Sequence, residues 1–261
     1  MRTVRTPPVR AAPPGLDDRL ALDPARPLYV CHVRGPLTLA VVSIAWLRAG
    51  GEQTRAALES RHLGAAERAQ ARQLRLPKRR LEWLAGRLAL KHGVCAYQGR
   101  HFGTRPGTRD VRVSAVTGGL RAGKPQVDHP VQVGLSHSVD FAVAVCGPRA
   151  VGIDVERVRR MPPMLTALLS SPPGAADTGS GRLRAMPPSL RWACKEAVLK
   201  HFGFGLRVDP GEVELTGWRA DGRFSWRAGP ALRRHVPEGD GPRFDSWARE
   251  VDGYSVALVW R

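Results

Sequence analysis

Lysine is scarce in this chain, and other shortages narrow the field with it. Five lysines, Lys78, Lys91, Lys124, Lys195 and Lys200, stand among 41 basic residues, against 23 acidic ones. The remainder of the +18 surplus is arginine. Such a surplus ordinarily points to a polyanion. Set beside abundant alanine, glycine and proline, it reads equally well as coding bias, and the few lysines become the more informative set. Cysteines number four, Cys31, Cys95, Cys146 and Cys194, with no C-x-x-C pair and no histidine at ligand spacing. That excludes a zinc ribbon or a disulfide scaffold and leaves reduced thiols, as in a cytosolic protein. Aromatics make up 6% and form no RNP-like cluster, and no apolar run reaches the length of a membrane span. The N-terminal stretch has arginine and proline but no signal-peptide core. These absences point to a cytoplasmic protein with no membrane and no nucleic-acid partner.

Along the chain, residues 1–27 are rich in proline and arginine and read as a flexible arm. Apolar β-branched runs at Tyr29–Val33 and Leu37–Trp46 read as strands. Glu52–Arg75 and Arg79–Tyr97 read as helices, the second with a basic stripe. Gly99–Gly123 reads as loop with one short strand near Val111–Val116. Strands follow at Val131–Leu135, Phe141–Cys146 and Val151–Glu156. Residues 161–188 hold three Pro-Pro pairs and read as an irregular insert around a short helix, Leu165–Leu169. A helix at Trp192–His201 and strands at Val213–Trp218, Arg223–Trp226 and Tyr254–Trp260 complete the chain.

Two segments carry chemistry. In Gly152-Ile153-Asp154-Val155-Glu156, apolar residues alternate with glycine and acids. Both carboxylates therefore share one strand face with Gly152, whose missing side chain leaves room there for a ligand. In Trp192-Ala193-Cys194-Lys195-Glu196-Ala197-Val198-Leu199-Lys200, the residues Trp192, Glu196 and Lys200 recur at four-residue spacing. On a helix they form one stripe, with Lys195 pointing away from it. Two acids on a strand, with an acid and an amine on a helix, can build a hard-cation site beside a phosphate clamp.

These segments resemble motifs of the 4′-phosphopantetheinyl transferases, specifically the larger single-chain type that activates surfactin synthetase. Two further motifs stand in the family's order: Gly123-Lys124-Pro125 and Leu135-Ser136-His137-Ser138. The resemblance spans roughly residues 75 to 205. It implies an α+β fold of two pseudo-twofold-related α/β lobes, residues 28–147 and 148–261. It implies transfer of the 4′-phosphopantetheine of coenzyme A to a serine of an acyl or peptidyl carrier protein, releasing 3′,5′-ADP. Asp154, Glu156 and Glu196 would hold Mg²⁺, or Mn²⁺ in its place. Glu196 and Lys200 would be catalytic, the lysine also contacting coenzyme A. Gly123, Lys124, Pro125, Ser136 and His137 would take its nucleotide end, with Arg87 and the basic pair Arg79 and Arg80 near its phosphates. Val133 and Gly134 stand where the family often has an aromatic and an asparagine, and the insert at 161–188 also departs from its pattern.

A shift of 109 residues aligns Leu81, Trp83, Leu90, Lys91 and His92 with Leu190, Trp192, Leu199, Lys200 and His201, and Val42 and Ile44 with Val151 and Ile153. The chain thus reads as a duplication that keeps the acids only in its second half, which implies a monomer with one metal site. A Mg²⁺-dependent nuclease and a basic nucleic-acid-binding module are the competing readings. Neither gives the G-K-P and L-S-H-S segments a role.

Overall fold

The computed structural model describes residues 20–33, 35–169, 182–236 and 244–261. It is a mixed α+β structure with small antiparallel sheets. Strands β1 (Leu28–His32) and β2 (Thr38–Ser43) form a hairpin, followed by helices α1 (Ile44–Ala49), α2 (Gly51–His62), α3 (Ala65–Gln73) and α4 (Pro77–Phe102). A small hairpin, β3 (Val113–Ala115) and β4 (Pro125–Val127), leads to β5 (Gln132–Ser138), β6 (Phe141–Gly147) and β7 (Val151–Arg157). Helices α5 (Pro163–Leu169) and α6 (Pro188–Phe202), the hairpin β8 (Val213–Trp218) and β9 (Phe224–Ala228), the short α7 (Pro230–Arg233), and β10 (Asp245–Val251) and β11 (Tyr254–Trp260) follow. The larger sheets run β1-β2-β6-β5 and β10-β11-β7.

Alternation along these strands sets the packing. Leu39, Val41, Phe141, Val143 and Val145 of the first sheet join Val151, Ile153, Val155, Val256 and Leu258 of the second in one buried cluster. The intervening residues are mostly smaller: Ala142, Ala144 and Cys146 lie under α4, and Ala257, with Val259, under α6. Large branched residues thus fill the space between the sheets, and small ones admit the helices on the outer faces.

The sheets repeat one pairing. A shift of 113 residues carries Gln132 opposite Gly147 onto Asp245 opposite Trp260, and the β6–β2 ladder recurs as β11–β7. Within that ladder Ala142 faces Val42, and Ser255 faces Glu156, so β2 maps to β7 at 114. The helices repeat a second device. Lys91 on α4 donates to the carbonyls of Thr108 and Val111, and Lys195 on α6 donates to those of Pro210 and Val213. Both lysines are buried, each tying its helix to the segment that follows. By role, Lys91 corresponds to Lys195 at a shift of 104. The 109-residue alignment, which matched it with Lys200, is therefore replaced.

Other expectations are also revised. Ile44–Trp46 is helical, because the Ser43 hydroxyl accepts from the Trp46 amide and caps α1. The Glu52–Arg75 helix breaks at Leu63–Gly64, where the extended backbone of Gly64 starts α3 and its amide donates to Glu67. Helix α4 runs on to Phe102 and stops at Gly103, whose φ of 68° only glycine adopts without strain. Strand β10 had no sequence expectation. Leu20 and Leu22, in the stretch read as an arm, are buried, and the Leu22 amide donates to Asp252. Much of the 161–188 insert lies outside the described residues. Among the described residues, no helix is long and apolar enough to cross a membrane. Cys95, Cys146 and Cys194 are free thiols.

Candidate functional site

The outer face of β7 carries Gly152, Asp154 and Glu156, and α6 lies across it. A Cβ on Gly152 would drive into the Ala197 carbonyl and lie 2.5 Å from the His201 amide nitrogen. The room expected for a ligand is therefore filled by helix backbone. The glycine serves as the close-contact point that locks α6 onto β7. Asp154, two residues along, then lies beneath Glu196 and Lys200, with Glu156 toward the open end.

Asp154 and Glu196 are buried at 2% and 5% exposure. The Lys200 side chain keeps 27%. Its Nζ lies 2.5 Å from Asp154 Oδ1 and 3.8 Å from Glu196 Oε2. Burial pushes the Glu196 carboxyl up to about 7, with Lys200 opposing and Asp154 and Glu156 adding to the rise. Glu156 is likewise raised, first by burial and then by Asp154. Burial works against the Lys200 ammonium, but Asp154 and Glu196 outweigh it and hold its pKa above the usual lysine value. Asp154 Oδ2 and Glu196 Oε1 are buried without hydrogen-bond partners.

The Leu135-Ser136-His137-Ser138 segment is the seam between the sheets. Ser136 Oγ accepts from the Val155 amide at 3.2 Å and donates to Asp154 Oδ1 at 2.8 Å. Lys200 also donates to that hydroxyl, at 3.2 Å. Ser138 Oγ accepts from the Arg157 amide and donates to Glu156 at 3.3 Å. The hydroxyl expected on phosphate is thus Asp154's partner. Ser138, which had been given no role, orients the neighbouring acid. The available signal was its two-residue spacing from Ser136, which puts both hydroxyls on one side of the strand. Gly134 follows the same logic. A Cβ there would lie 3.0 Å from a Val145 methyl and 3.3 Å from the Val151 carbonyl, so glycine permits the approach of β5 to β7.

No family model matches the chain. No match was found among curated proteins. The functional reading therefore stands on the motifs and on this geometry.

The remaining candidates divide. His137 sits at the exposed rim, its pKa lowered by partial burial while Glu82 opposes; it feels Lys200, Asp154 and Arg79. Glu82 had not been singled out from sequence. The G-K-P turn, with Gly123 at φ 88°, brings Lys124 against Gly203, the residue that ends α6. Its ammonium pKa is lowered by burial and by Arg121. Pro125 pairs with Ala115. The structure thus brings His137 and Lys124 to the helix that carries Glu196 and Lys200, with Arg79 near His137. Arg80 is instead bound to Glu59 at 3.0 Å. Arg87 is largely buried, with its guanidinium carbon 5.0 Å from the centre of the Trp83 ring and Nε 3.8 Å from Glu67, an ion pair that only partly offsets burial. Lys195 is structural, as described above.

Among the described residues, no group of three or more His, Cys, Asp or Glu is arranged to hold a metal ion as it stands. The donor set is nonetheless that of a hard cation. Three carboxylates cluster on two locked elements, and two buried carboxylate oxygens lack partners.

Proposed function

We propose that this protein is a 4′-phosphopantetheinyl transferase, moving 4′-phosphopantetheine from coenzyme A to a serine of an acyl or peptidyl carrier protein. The observation that carries this reading is the cluster of Asp154, Glu196 and Lys200, oriented by Ser136. The repeated sheet pairing supports two pseudo-twofold lobes, 28–147 and 148–261, joined at β5 and β7. Asp154 and its strand correspond to Ala40 on β2, so acids stand at only one of the two related places.

In the reaction, the carrier serine oxygen attacks the β-phosphorus of coenzyme A. The bond to the 3′,5′-ADP oxygen breaks, and the serine proton passes to Glu196 or to a water it holds. Such a step needs alignment and charge neutralisation more than covalent help from the protein. Asp154, Glu156 and Glu196 are the residues that would hold Mg²⁺, or Mn²⁺, which when bound neutralises pyrophosphate charge. Lys200 offsets charge on the leaving oxygen. Ser136 and Ser138 fix the carboxylates, and His137, Lys124 and Arg79 supply polar and positive groups for the nucleotide.

Chromatography of the small-molecule products tests this. Incubation with coenzyme A, Mg²⁺ and an apo carrier protein should release 3′,5′-ADP in step with carrier consumed, and none without carrier. Absence of nucleotide release across acyl and peptidyl carriers, together with Mg²⁺-dependent cleavage of nucleic acid, would establish the nuclease reading instead.

A further inference from the structure

Lys200 occupies the position from which a bound cation would have to work. Its ammonium contacts Asp154 Oδ1, Ser136 Oγ and, more distantly, Glu196 Oε2. Among the described residues, it is the cation within ion-pair distance of either buried carboxylate. One ammonium leaves the pair short of positive charge, and each acid keeps one buried oxygen unpartnered. Unpaired buried charge is costly, so the cluster favours a stronger cation than the one it contains.

The backbone beneath cannot rearrange to admit one. Gly152 abuts the Ala197 carbonyl and the His201 amide, which fixes the origins of Asp154, Glu196 and Lys200 relative to one another. Freedom resides in the Lys200 side chain, a flexible four-carbon stem that still reaches solvent. If it swings away, Asp154 Oδ1 loses the ammonium but keeps the Ser136 hydroxyl, which continues to hold the carboxylate in place.

Building on the transferase reading, we infer that Lys200 is the site's stand-in cation. It holds Asp154 and Glu196 together when no divalent ion is bound. It is displaced from Asp154 when one binds, and its ammonium is then free to meet a phosphate of coenzyme A. Divalent entry and substrate contact are thereby coupled through one side chain, and the coupling is reciprocal. Coenzyme A, by drawing the ammonium outward, should tighten divalent binding.

The test measures Mg²⁺ binding by calorimetry, without coenzyme A, for wild type, Asp154→Asn and Lys200→Met. Wild type should bind, Asp154→Asn should not, and Lys200→Met should bind roughly tenfold more tightly because no ammonium has to be displaced. Equal or weaker binding by a folded Lys200→Met overturns the displacement and leaves the carboxylate site standing. Absence of binding by wild type removes the metal site and the transferase reading with it. A second measurement needs no variant: acylation of Lys200 by an amine-reactive ester, mapped by peptide mass, with exposed Lys78 as reference. Relative to Lys78, Lys200 labelling should rise roughly tenfold on adding Mg²⁺ as the ammonium leaves Asp154. Unchanged or reduced labelling overturns the proposal.

Discussion

Ser136 links the stability of this protein to its chemistry through one hydroxyl. The group satisfies the Val155 amide across the sheet seam and donates to Asp154, so its loss should register twice. Ser136→Ala should cost about 1–3 kcal/mol in urea denaturation, because a buried amide loses its partner. It should also weaken divalent affinity by roughly 10–100-fold, the usual effect of removing a group that orients a ligand. Unaltered divalent affinity would mean that Asp154 does not depend on it. Two histidines, His201 buried and His92 partly buried, set the acid limit. His201, enclosed by Phe202, Phe244 and the Val259 carbonyl and facing Lys124 and Arg261, is depressed by burial to about 4. His92, against His62 and Arg61, is likewise depressed by burial to about 4. Both are neutral in the fold and take up protons on unfolding below the ordinary histidine value of 6.5. The two histidines should therefore each take away at most about 3 kcal/mol of stability as pH drops from 6.5 toward 4, against an opposing gain from the raised Glu196 and Glu156 carboxyls. The slope should flatten in a His92→Gln, His201→Gln double variant. An unchanged slope in urea titrations across that range would contradict the assignment.

At the level of elements, the interlock of α6 with β7 makes the site possible. Gly152→Ala should destabilise by about 3 kcal/mol or more, since a new methyl meets helix backbone rather than a movable side chain. A melt within a degree of wild type would show that α6 can shift. The sequence made β7 and α6 legible because period-two and four-residue patterns are local. The same alternation put Asp154 and Glu156 on one face, as found. It could not say that α6 would cover the Gly152 end of that face, because a glycine reads alike as ligand space and as close packing. Long-range partners were equally hidden. The Ser136 and Ser138 contacts, the capture of Arg80 by Glu59 and the carbonyl-tied Lys91 and Lys195 depend on which segment arrives opposite. Spacing within one segment does not encode that. The 109-residue alignment failed for a related reason. It matched residue types along two helices, whereas strand registers and buried lysines show that helices and strands carry different shifts.

At the scale of the whole molecule, both sheets share one apolar cluster, and the first half's serines orient the second half's acids. Neither half holds a full set of site residues, so a single chain should suffice. Sedimentation equilibrium is expected to return a monomer, and calorimetry one coenzyme A site per chain; an obligate dimer or two equivalent sites would refute this arrangement. The transferase activity proposed above depends on the Asp154 cluster. Intact mass spectrometry of an apo carrier protein, incubated with coenzyme A and Mg²⁺ and either wild type or Asp154→Asn, tests it most directly. The carrier is expected to gain the mass of one phosphopantetheine unit with wild type and none with Asp154→Asn. No gain with wild type, or equal gain with both, would contradict it.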